Sequence, residues 1–191
     1  MPDADWWQVL WPDPEKVLVE MGVRPGMVAV DLCCGDGLFT APFACIADRV
    51  YAIDIDPVML DRARARVAGA GATNCDFVLA DAMTLDAIVP EPLDYVFLAN
   101  TFHGVPDQLG VARVVAASLK PHGQFGIVNW HHRPREETVV FGQPRGPKTE
   151  MRIEADEVVA IVGPAGLLPN RTVDLPPYHY GVVFERGGED E

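Results

Sequence analysis

Three aspartates are the residues of this chain whose spacing most clearly suggests chemistry. Asp31, Asp54 and Asp81 each lie at the end of an apolar run, and Gly35 and Gly37 form a turn between the first two. Glycines lack the Cβ that would keep a ligand away from the main chain. A carboxylate roughly 20 residues beyond such a turn accepts hydrogen bonds from both ribose hydroxyls. The spacing therefore indicates a nucleoside-binding crevice.

Histidines that follow two later apolar runs are candidate bases. His103 follows the fourth run, and His131 follows the fifth. Imidazole titrates near neutrality, so either side chain suits the removal of a proton from a ligand that arrives protonated. We take His103 and His131 as candidate general bases, with a solvated loop histidine as the alternative for each.

A segment rich in proline, glycine and charge, residues 130–152, follows the fifth run. It holds several basic side chains of an otherwise acidic chain: Arg133, Arg135, Arg145, Lys148 and Arg152. Because long loops in compact domains commonly serve function, we interpret this segment as a substrate lid and Arg133 as a contact to an anionic ligand. Solvated loop charge is the alternative. Trp11 and Tyr178 are further candidates for the same pocket, and core packing explains them equally well.

Alternating strand and helix patterns position these residues. Asp56-Pro57 offers an N-cap acceptor followed by proline at the first helical position. The predicted strands are 28–32, 49–55, 76–79, 93–99, 125–129, 171–175 and 179–185, and the predicted helices are 39–47, 57–68, 107–119 and 154–165. The alternation implies an α/β protein, a three-layer sandwich in which the sheet carries the candidate site along one edge.

The length of 191 residues is most simply that of one domain. Within it we distinguish an N-terminal arm (1–27), a cofactor-binding half (28–129), the lid (130–152) and a C-terminal helix with strands (153–191). The arm carries Trp6, Trp7 and Trp11, and prolines interrupt its helical pattern. We expect these tryptophans to cover one face of the sheet, with the roof of a pocket as the alternative.

Charge and cysteine spacing argue against several classes of protein. The formal net charge of −13 opposes a polyphosphate backbone, so we expect no nucleic-acid partner. No apolar run approaches the roughly 20 residues that span a bilayer, and the chain starts with acidic residues where a secretory signal is basic. We therefore expect a cytoplasmic protein without a membrane partner, a monomer or a homodimer.

The four cysteines, three of which we expect to be buried, lack Cys-x-x-Cys spacing, so we expect no metal site.

Four segments resemble, in order and spacing, the motifs of class I S-adenosylmethionine-dependent methyltransferases. Residues 31–37, Asp-Leu-Cys-Cys-Gly-Asp-Gly, are similar to the first motif, except that Cys33 replaces its first glycine. Residues 50–60, 79–83 and 94–100 are similar to the second, third and fourth motifs. The consecutive cysteines resemble those of small-molecule enzymes of the quinone-methyltransferase type.

The resemblance implies that S-adenosylmethionine is the cofactor and that a methyl group passes to a small molecule by in-line displacement. It places Asp54 on the ribose, and Asp81 with the Ala82 amide on adenine. It also implies a seven-stranded, mostly parallel Rossmann-like sheet with one antiparallel strand near the C-terminus. The expected cofactor contacts are Asp31, Cys33, Gly35, Gly37, Asp54, Ile55, Asp81, Ala82 and Asn100, and the expected acceptor contacts are Trp11, His103, Arg133 and Tyr178.

Three other functions stay open on the sequence. A nicotinamide dehydrogenase shares the strand–glycine–helix pattern, but the segment from Gly35 to Thr40 lacks its third glycine. A non-catalytic protein that binds S-adenosylmethionine or S-adenosylhomocysteine needs no acceptor pocket. The segment Pro176-Pro177-Tyr178 resembles a signature of nucleic-acid amino-methyltransferases, yet it lies far beyond the fourth strand, and we interpret it as a turn.

Overall fold

The computed structural model describes residues 4–188; residues 1–3 and 189–191, which include part of the acidic start noted above, lie outside this range. The helices are α1 (Ala4–Leu10), α2 (Pro14–Glu20), α3 (Thr40–Ile46), α4 (Pro57–Gly69), α5 (Leu85–Ile88), α6 (Gln108–Ser118) and α7 (Ala155–Val162). The strands are β1 (Val28–Leu32), β2 (Arg49–Asp54), β3 (Cys75–Leu79), β4 (Leu93–Ala99), β5 (Leu119–Trp130), β6 (Val139–Val140), β7 (Gln143–Pro144), β8 (Leu167–Leu175) and β9 (His179–Arg186).

Seven of these strands form the central sheet in the order β3-β2-β1-β4-β5-β9-β8. Strand β9 runs antiparallel to β5 and β8, whereas β1 to β5 pair in parallel. The predicted α/β class and seven-stranded sheet with one antiparallel strand are confirmed. The chain winds outward from β1 to β3 and then restarts at β4 on the other side of β1. A ligand crevice is expected at the carboxyl ends of the strands where the order reverses in this way.

Strand β4 shows why the core has two halves. Tyr95 and Phe97 pack with the helices of the arm and α3, while Val96 and Leu98 pack with α6 and α7 on the opposite face. Successive side chains of a strand point to opposite faces, so a strand covered on both sides is apolar throughout. The sheet therefore lies between two helical layers.

Two strand boundaries differ from the prediction by more than three residues. Strand β5 begins at Leu119 rather than at residue 125, because the segment 121–123, which lies between a predicted helix and a predicted strand, continues the strand through an irregular pairing with β4. His122 has a φ of 61° there. Strand β8 begins at Leu167 rather than at residue 171. None of the helices described between residues 4 and 188 has the length and apolar character needed to cross a membrane.

Candidate cofactor and acceptor site

A cavity of about 800 Å³ opens where the parallel strands end, at the expected edge of the sheet. Its volume lies in the range of ligand pockets. Most of the sequence-predicted contacts line it: Asp31, Cys33, Gly35, Asp54, Ile55, Asp81, Ala82, Asn100 and His103. The structure thus brings the strand-end acids and one candidate base to a single site.

Asp54 ends β2 and fixes the glycine turn. Its Oδ2 accepts a hydrogen bond from the Gly35 amide at 2.8 Å, and its Oδ1 accepts one from the Asp56 amide at 2.9 Å. Each carboxylate oxygen has two lone pairs, so Asp54 keeps acceptor capacity for ligand hydroxyls. The Gly35 amide, in contrast, already donates to Asp54.

Asp31 is the most buried of the three acids, with 3% of its surface exposed. The Thr40 hydroxyl donates to its Oδ2 at 2.5 Å. Burial raises the pKa of Asp31 from 3.8 to about 7, and the nearby charge of Asp54 adds to the rise against the Thr40 hydrogen bond. A positive ligand at this point would favour the ionised carboxylate.

Asp81 follows β3 and caps a single 3₁₀ turn over Ala82–Thr84. Its Oδ1 accepts a hydrogen bond from the Met83 amide at 2.9 Å. Asp81 is exposed and lines the cavity beside Ala82. A capping role and a position in the cavity wall are thus compatible in this residue.

The two glycines of the turn differ in what they do. Gly35 lines the cavity, whereas Gly37 does not. Gly37 has a φ of +83°, and a Cβ there would lie 2.7 Å from the Ala63 Cα of α4. The structure therefore places Gly37 in the packing of the turn on α4, and not against the expected cofactor.

Cys33 occupies the motif position where the family has glycine. Its φ is 59°, a left-handed value that glycine adopts more easily, and its side chain lines the cavity. Burial and three nearby aspartates raise the pKa of its thiol to about 12, so the thiol stays neutral. The expectation of three buried cysteines is wrong: only Cys34 is buried, whereas Cys33 and Cys75 are half-buried and Cys45 is exposed.

His103 is the candidate base that the structure brings to the cavity. It lies in a 3₁₀ turn just after β4, and its Nδ1 is 3.3 Å from Oδ1 of Asn129. Burial lowers its pKa below 6.5, although the hydrogen bond to Asn129 acts in the opposite direction. His103 is therefore neutral, and able to accept a proton, at pH 7.

Two asparagines leave buried polar atoms without partners among the described residues. Both polar side-chain atoms of Asn100, and Nδ2 of Asn129, are in this state. Buried polar groups are nearly always hydrogen-bonded, and Asn100 lines the cavity, so its side chain is a candidate contact for a bound ligand. Sequence reasoning missed Asn129; the available signal was an asparagine within the apolar strand β5.

Four predicted residues lie away from the cavity wall. Trp11 is buried in the core against Phe39, with ring centroids 5.2 Å apart. The Nε2 atom of His131 lies 3.2 Å from Asp174 Oδ1. The remaining two are Tyr178, which is parallel to the Trp130 ring, and Arg133, whose side chain is exposed. None of the four lines the cavity, so their predicted roles gain no support from its geometry.

The other end of the cavity is aromatic. Trp6, Trp7 and Trp130, which we call the tryptophan wall, line it together with Gly146 and Pro147 of the lid segment. Trp6 and Trp7 come from α1, and Trp130 ends β5. From the sequence, the arm tryptophans were expected to cover one face of the sheet, and a place in the roof of a pocket was only the alternative prediction. Trp130 was not predicted to lie at the site.

Arg152 holds the lid segment from inside. Its guanidinium group donates to the carbonyl oxygens of Arg133 at 3.0 Å and Pro147 at 3.2 Å, and to Thr138 Oγ1 at 2.9 Å. Arg152 is therefore not one of the lid cations that could contact an anionic ligand, because its donors bind the chain itself. Within the described range there is no group of three or more His, Cys, Asp or Glu side chains placed to hold a metal ion.

The strand order and the strand-end acids define a nucleoside-binding α/β fold of the methyltransferase class, and the comparisons with known proteins agree. A family model described as a methyltransferase domain matches residues 29–123. A demethylmenaquinone methyltransferase of Staphylococcus aureus (strain MRSA252) is 33% identical over 112 residues, which are 57% of this chain and 45% of that protein. The chain thus spans about half the length of the curated relatives it matches.

Solved structures cover nearly the whole chain. A SAM-dependent methyltransferase from Aquifex aeolicus has a TM-score of 0.77 at 26% identity, covering 93% of this chain and 92% of that one. The N-methyltransferase NodS from Bradyrhizobium japonicum WM9, in complex with S-adenosyl-L-homocysteine, has a TM-score of 0.74 at 15% identity, covering 97% and 93%. This chain belongs to the class I S-adenosylmethionine-dependent methyltransferases.

The site fits the cofactor of that family. S-adenosylmethionine presents ribose hydroxyls, an adenine amino group and a positively charged sulfur. The cavity offers carboxylates at three strand ends and the unpartnered Asn100 side chain at a fourth. Hydrogen-bond acceptors and negative charge are the groups that such a molecule requires.

Proposed function

We propose that the chain transfers a methyl group from S-adenosylmethionine to a small-molecule acceptor. The observation that carries this proposal is the convergence of Asp31, Asp54 and Asp81 on one cavity from three neighbouring strands. The bound cofactor supplies an electrophilic methyl group on a positive sulfur. In the proposal, Asp54 accepts from the ribose, Asp81 and the Ala82 amide meet adenine, and Asp31 balances positive charge.

The aromatic end of the cavity holds the acceptor in this proposal. Holding two reactants in a near-attack arrangement contributes roughly 7–11 kcal/mol to catalysis, so positioning is the main task of the tryptophan wall. When Nδ1 of His103 carries the ring proton and donates to Asn129, Nε2 is free to accept the proton of the acceptor. His103 then acts as the base and Asn129 orients it.

Two findings support a small molecule as the acceptor. The matched Staphylococcus aureus relative is named a demethylmenaquinone methyltransferase, and the net charge of −13 opposes nucleic acid. The cytoplasmic location and the monomeric or homodimeric state stay predictions.

Calorimetry with S-adenosylhomocysteine tests the cofactor part. We expect binding by the wild-type chain, and roughly hundredfold weaker binding by Asp54→Asn, which loses hydrogen bonds to a charged acceptor. Asp61→Asn, an exposed acid on α4, is the matched control and should bind normally. Absence of binding by the wild-type chain, or equal binding by Asp54→Asn, would overturn the assignment, and binding of NAD instead would favour the dehydrogenase.

Labelled cofactor tests the transfer itself. Incubation with S-adenosylmethionine labelled in its methyl group and a panel of phenols, thiols, amines and quinols should label at least one acceptor above background. Cofactor binding without any transfer across the panel would favour the non-catalytic sensor.

A further inference from the structure

The turn that follows β1, residues 33–37, has a backbone that needs support from its surroundings. Cys33, Gly35 and Gly37 have φ values of 59°, 55° and 83°, all in the left-handed range. Such conformations are unfavourable for a residue that carries a Cβ, and they persist where neighbouring structure fixes them. Because Cys33 and Gly35 line the cavity, the contacts that fix this turn also set one wall of the candidate cofactor site.

The end of β2 supports the first half of the turn. The Gly35 amide donates to Asp54 Oδ2 at 2.8 Å, and the Cys34 amide donates to the carbonyl oxygen of Ile53 at 3.0 Å. Both of these contacts lie in the cavity wall. The second half of the turn points away from β2 and needs other partners.

Helix α4 supplies those partners from one face. Nη2 of Arg66 donates to Oδ2 of Asp36 at 2.7 Å. One helical turn earlier, Ala63 packs so closely on Gly37 that a Cβ there would lie 2.7 Å from the Ala63 Cα. Residues three positions apart lie on the same side of a helix, so α4 contacts two consecutive residues of the turn. The same helix begins at the cavity, where Met59 lines the wall.

The two members of the ion pair differ in burial. The side chain of Asp36 is 10% exposed and that of Arg66 is 28% exposed. Within residues 4–188, the buried Oδ1 of Asp36 has no hydrogen-bond partner, so the carboxylate depends on Arg66. A buried charge that loses its partner is far less favourable than an exposed one. Loss of Arg66 should therefore drive the Asp36 carboxylate towards water and distort the turn, whereas loss of the Asp36 charge should be mild.

We infer that Asp36 and Arg66 are positioning residues for the cofactor, and that their ion pair holds the turn in the conformation that binds S-adenosylmethionine. Neither side chain lines the cavity, so both act through Cys33 and Gly35. The inference rests on the proposed function, because it concerns the same cofactor site. It differs from a purely structural role, in which the pair would affect stability but not the affinity for the cofactor.

Calorimetry with S-adenosylhomocysteine tests the inference. Arg66→Met should weaken binding at least about tenfold, and Asp36→Asn should weaken it less than about threefold. The double variant Asp36→Asn/Arg66→Met should bind within about threefold of the wild-type chain, because a neutral amide no longer needs a cation beside it. Arg62→Met, which removes an equal charge from an exposed position on α4, is the matched control and should bind normally.

Urea unfolding of the same variants separates positioning from a purely structural role. Lower stability of Arg66→Met with unchanged affinity for S-adenosylhomocysteine would overturn the inference, as would a double variant that binds as weakly as Arg66→Met. If Arg66→Met does not fold, the double variant decides alone, and binding tenfold weaker than that of the wild-type chain would count against the pair. Failure of the wild-type chain itself to bind would instead overturn the proposed function.

Kinetics with the acceptor found in the labelling panel give a second readout. Arg66→Met should raise KM for S-adenosylmethionine about tenfold and leave kcat within about threefold of the wild-type value, because a saturating cofactor restores the turn. Arg66→Lys keeps the positive charge and should recover most of the lost affinity. A fall in kcat at unchanged KM would contradict a role in cofactor binding.

Discussion

Asp31 carries a carboxyl group that the fold keeps from water, although the proposed cofactor needs it as an anion. Burial raises its pKa from 3.8 to about 7 in the folded chain. Because the folded state binds this proton more tightly than the unfolded state, stability falls as the pH rises from about 4 to about 7. We expect Asp31→Asn to raise the free energy of unfolding above pH 7 by up to about 4 kcal/mol, a gain that shrinks toward pH 4. Thr40 can still donate to the amide oxygen.

Urea unfolding of the wild-type chain and of Asp31→Asn at pH 5 and pH 8 measures this difference in the free energy of unfolding. The same variant should bind S-adenosylmethionine more weakly, and the affinity of the wild-type chain should decline as the pH falls below about 7. Asp61→Asn, whose carboxyl group is exposed, should show neither effect. A gain in stability that is the same at both pH values would show that charge on Asp31 is not the cause.

His103 is expected to be the base because it alone of the two candidates reaches the cavity. We expect His103→Gln to lower kcat by about 10²–10³ with an acceptor that arrives protonated, and His131→Gln to leave kcat nearly unchanged. Since burial lowers the pKa of His103 below 6.5, kcat should stay level at neutral pH and fall only in more acidic solution. The measurement is kcat against pH with the acceptor found in the labelling panel.

Asn129→Asp provides the critical variant for this assignment. A carboxylate in place of the Asn129 amide, 3.3 Å from Nδ1, would raise the pKa of His103 and move the acidic limb of the profile to higher pH. An unmoved limb would show that His103 is not the titrating base, whatever the change in kcat.

At the scale of elements, the cofactor side of the site was predictable and the acceptor side was not. Buried parallel strands are continuous apolar runs that end at one edge of the sheet, so the positions of Asp54 and Asp81 follow from the alternation alone. The acceptor side depends on contacts between distant segments. Trp6 of the arm and Trp130 of β5 come together only through packing, and nothing in the spacing of Gly37 distinguished α4 from a ligand as its neighbour.

The lid segment shows the same limit of local patterns. Its arginines suggested a surface for an anion, yet Arg152 is buried and bonds to backbone carbonyls of the segment itself. A residue count cannot show whether a cation faces solvent or the chain. The tertiary fold decides this, because long side chains bind whichever acceptors lie within reach.

Arg152→Met is expected to loosen the lid segment without affecting the sheet. Hydrogen bonds from a charged donor contribute roughly 1.5–3 kcal/mol each, so the loss of several should speed amide exchange across residues 133–147 by at least about tenfold. Hydrogen–deuterium exchange measures this against β1 and β4 as internal references. Arg133→Met, with its exposed side chain, is the control, and unchanged exchange in Arg152→Met would contradict the bracing role.

At the scale of the whole molecule, the charge of −13 and the acids of the cavity act in the same direction. A cleft lined by one sign of charge raises the local concentration of ligands of the opposite sign. S-adenosylmethionine carries one more positive charge than S-adenosylhomocysteine, and methyl transfer removes that charge. The field of the molecule therefore favours the proposed cofactor over the spent product.

Salt dependence of the two affinities tests this selection. Raising the salt concentration from 0.1 M to 1 M shortens the Debye length from roughly 10 Å to 3 Å, which screens the exposed acids far more than the buried ones. We expect the affinity for S-adenosylmethionine to fall about threefold or more relative to that for S-adenosylhomocysteine. The two molecules share adenosine and the amino-acid portion, so each titration controls for effects of salt on the common contacts. Parallel salt dependence would show that only the buried carboxylates, and not the field of the whole chain, distinguish the charged sulfur from the neutral one.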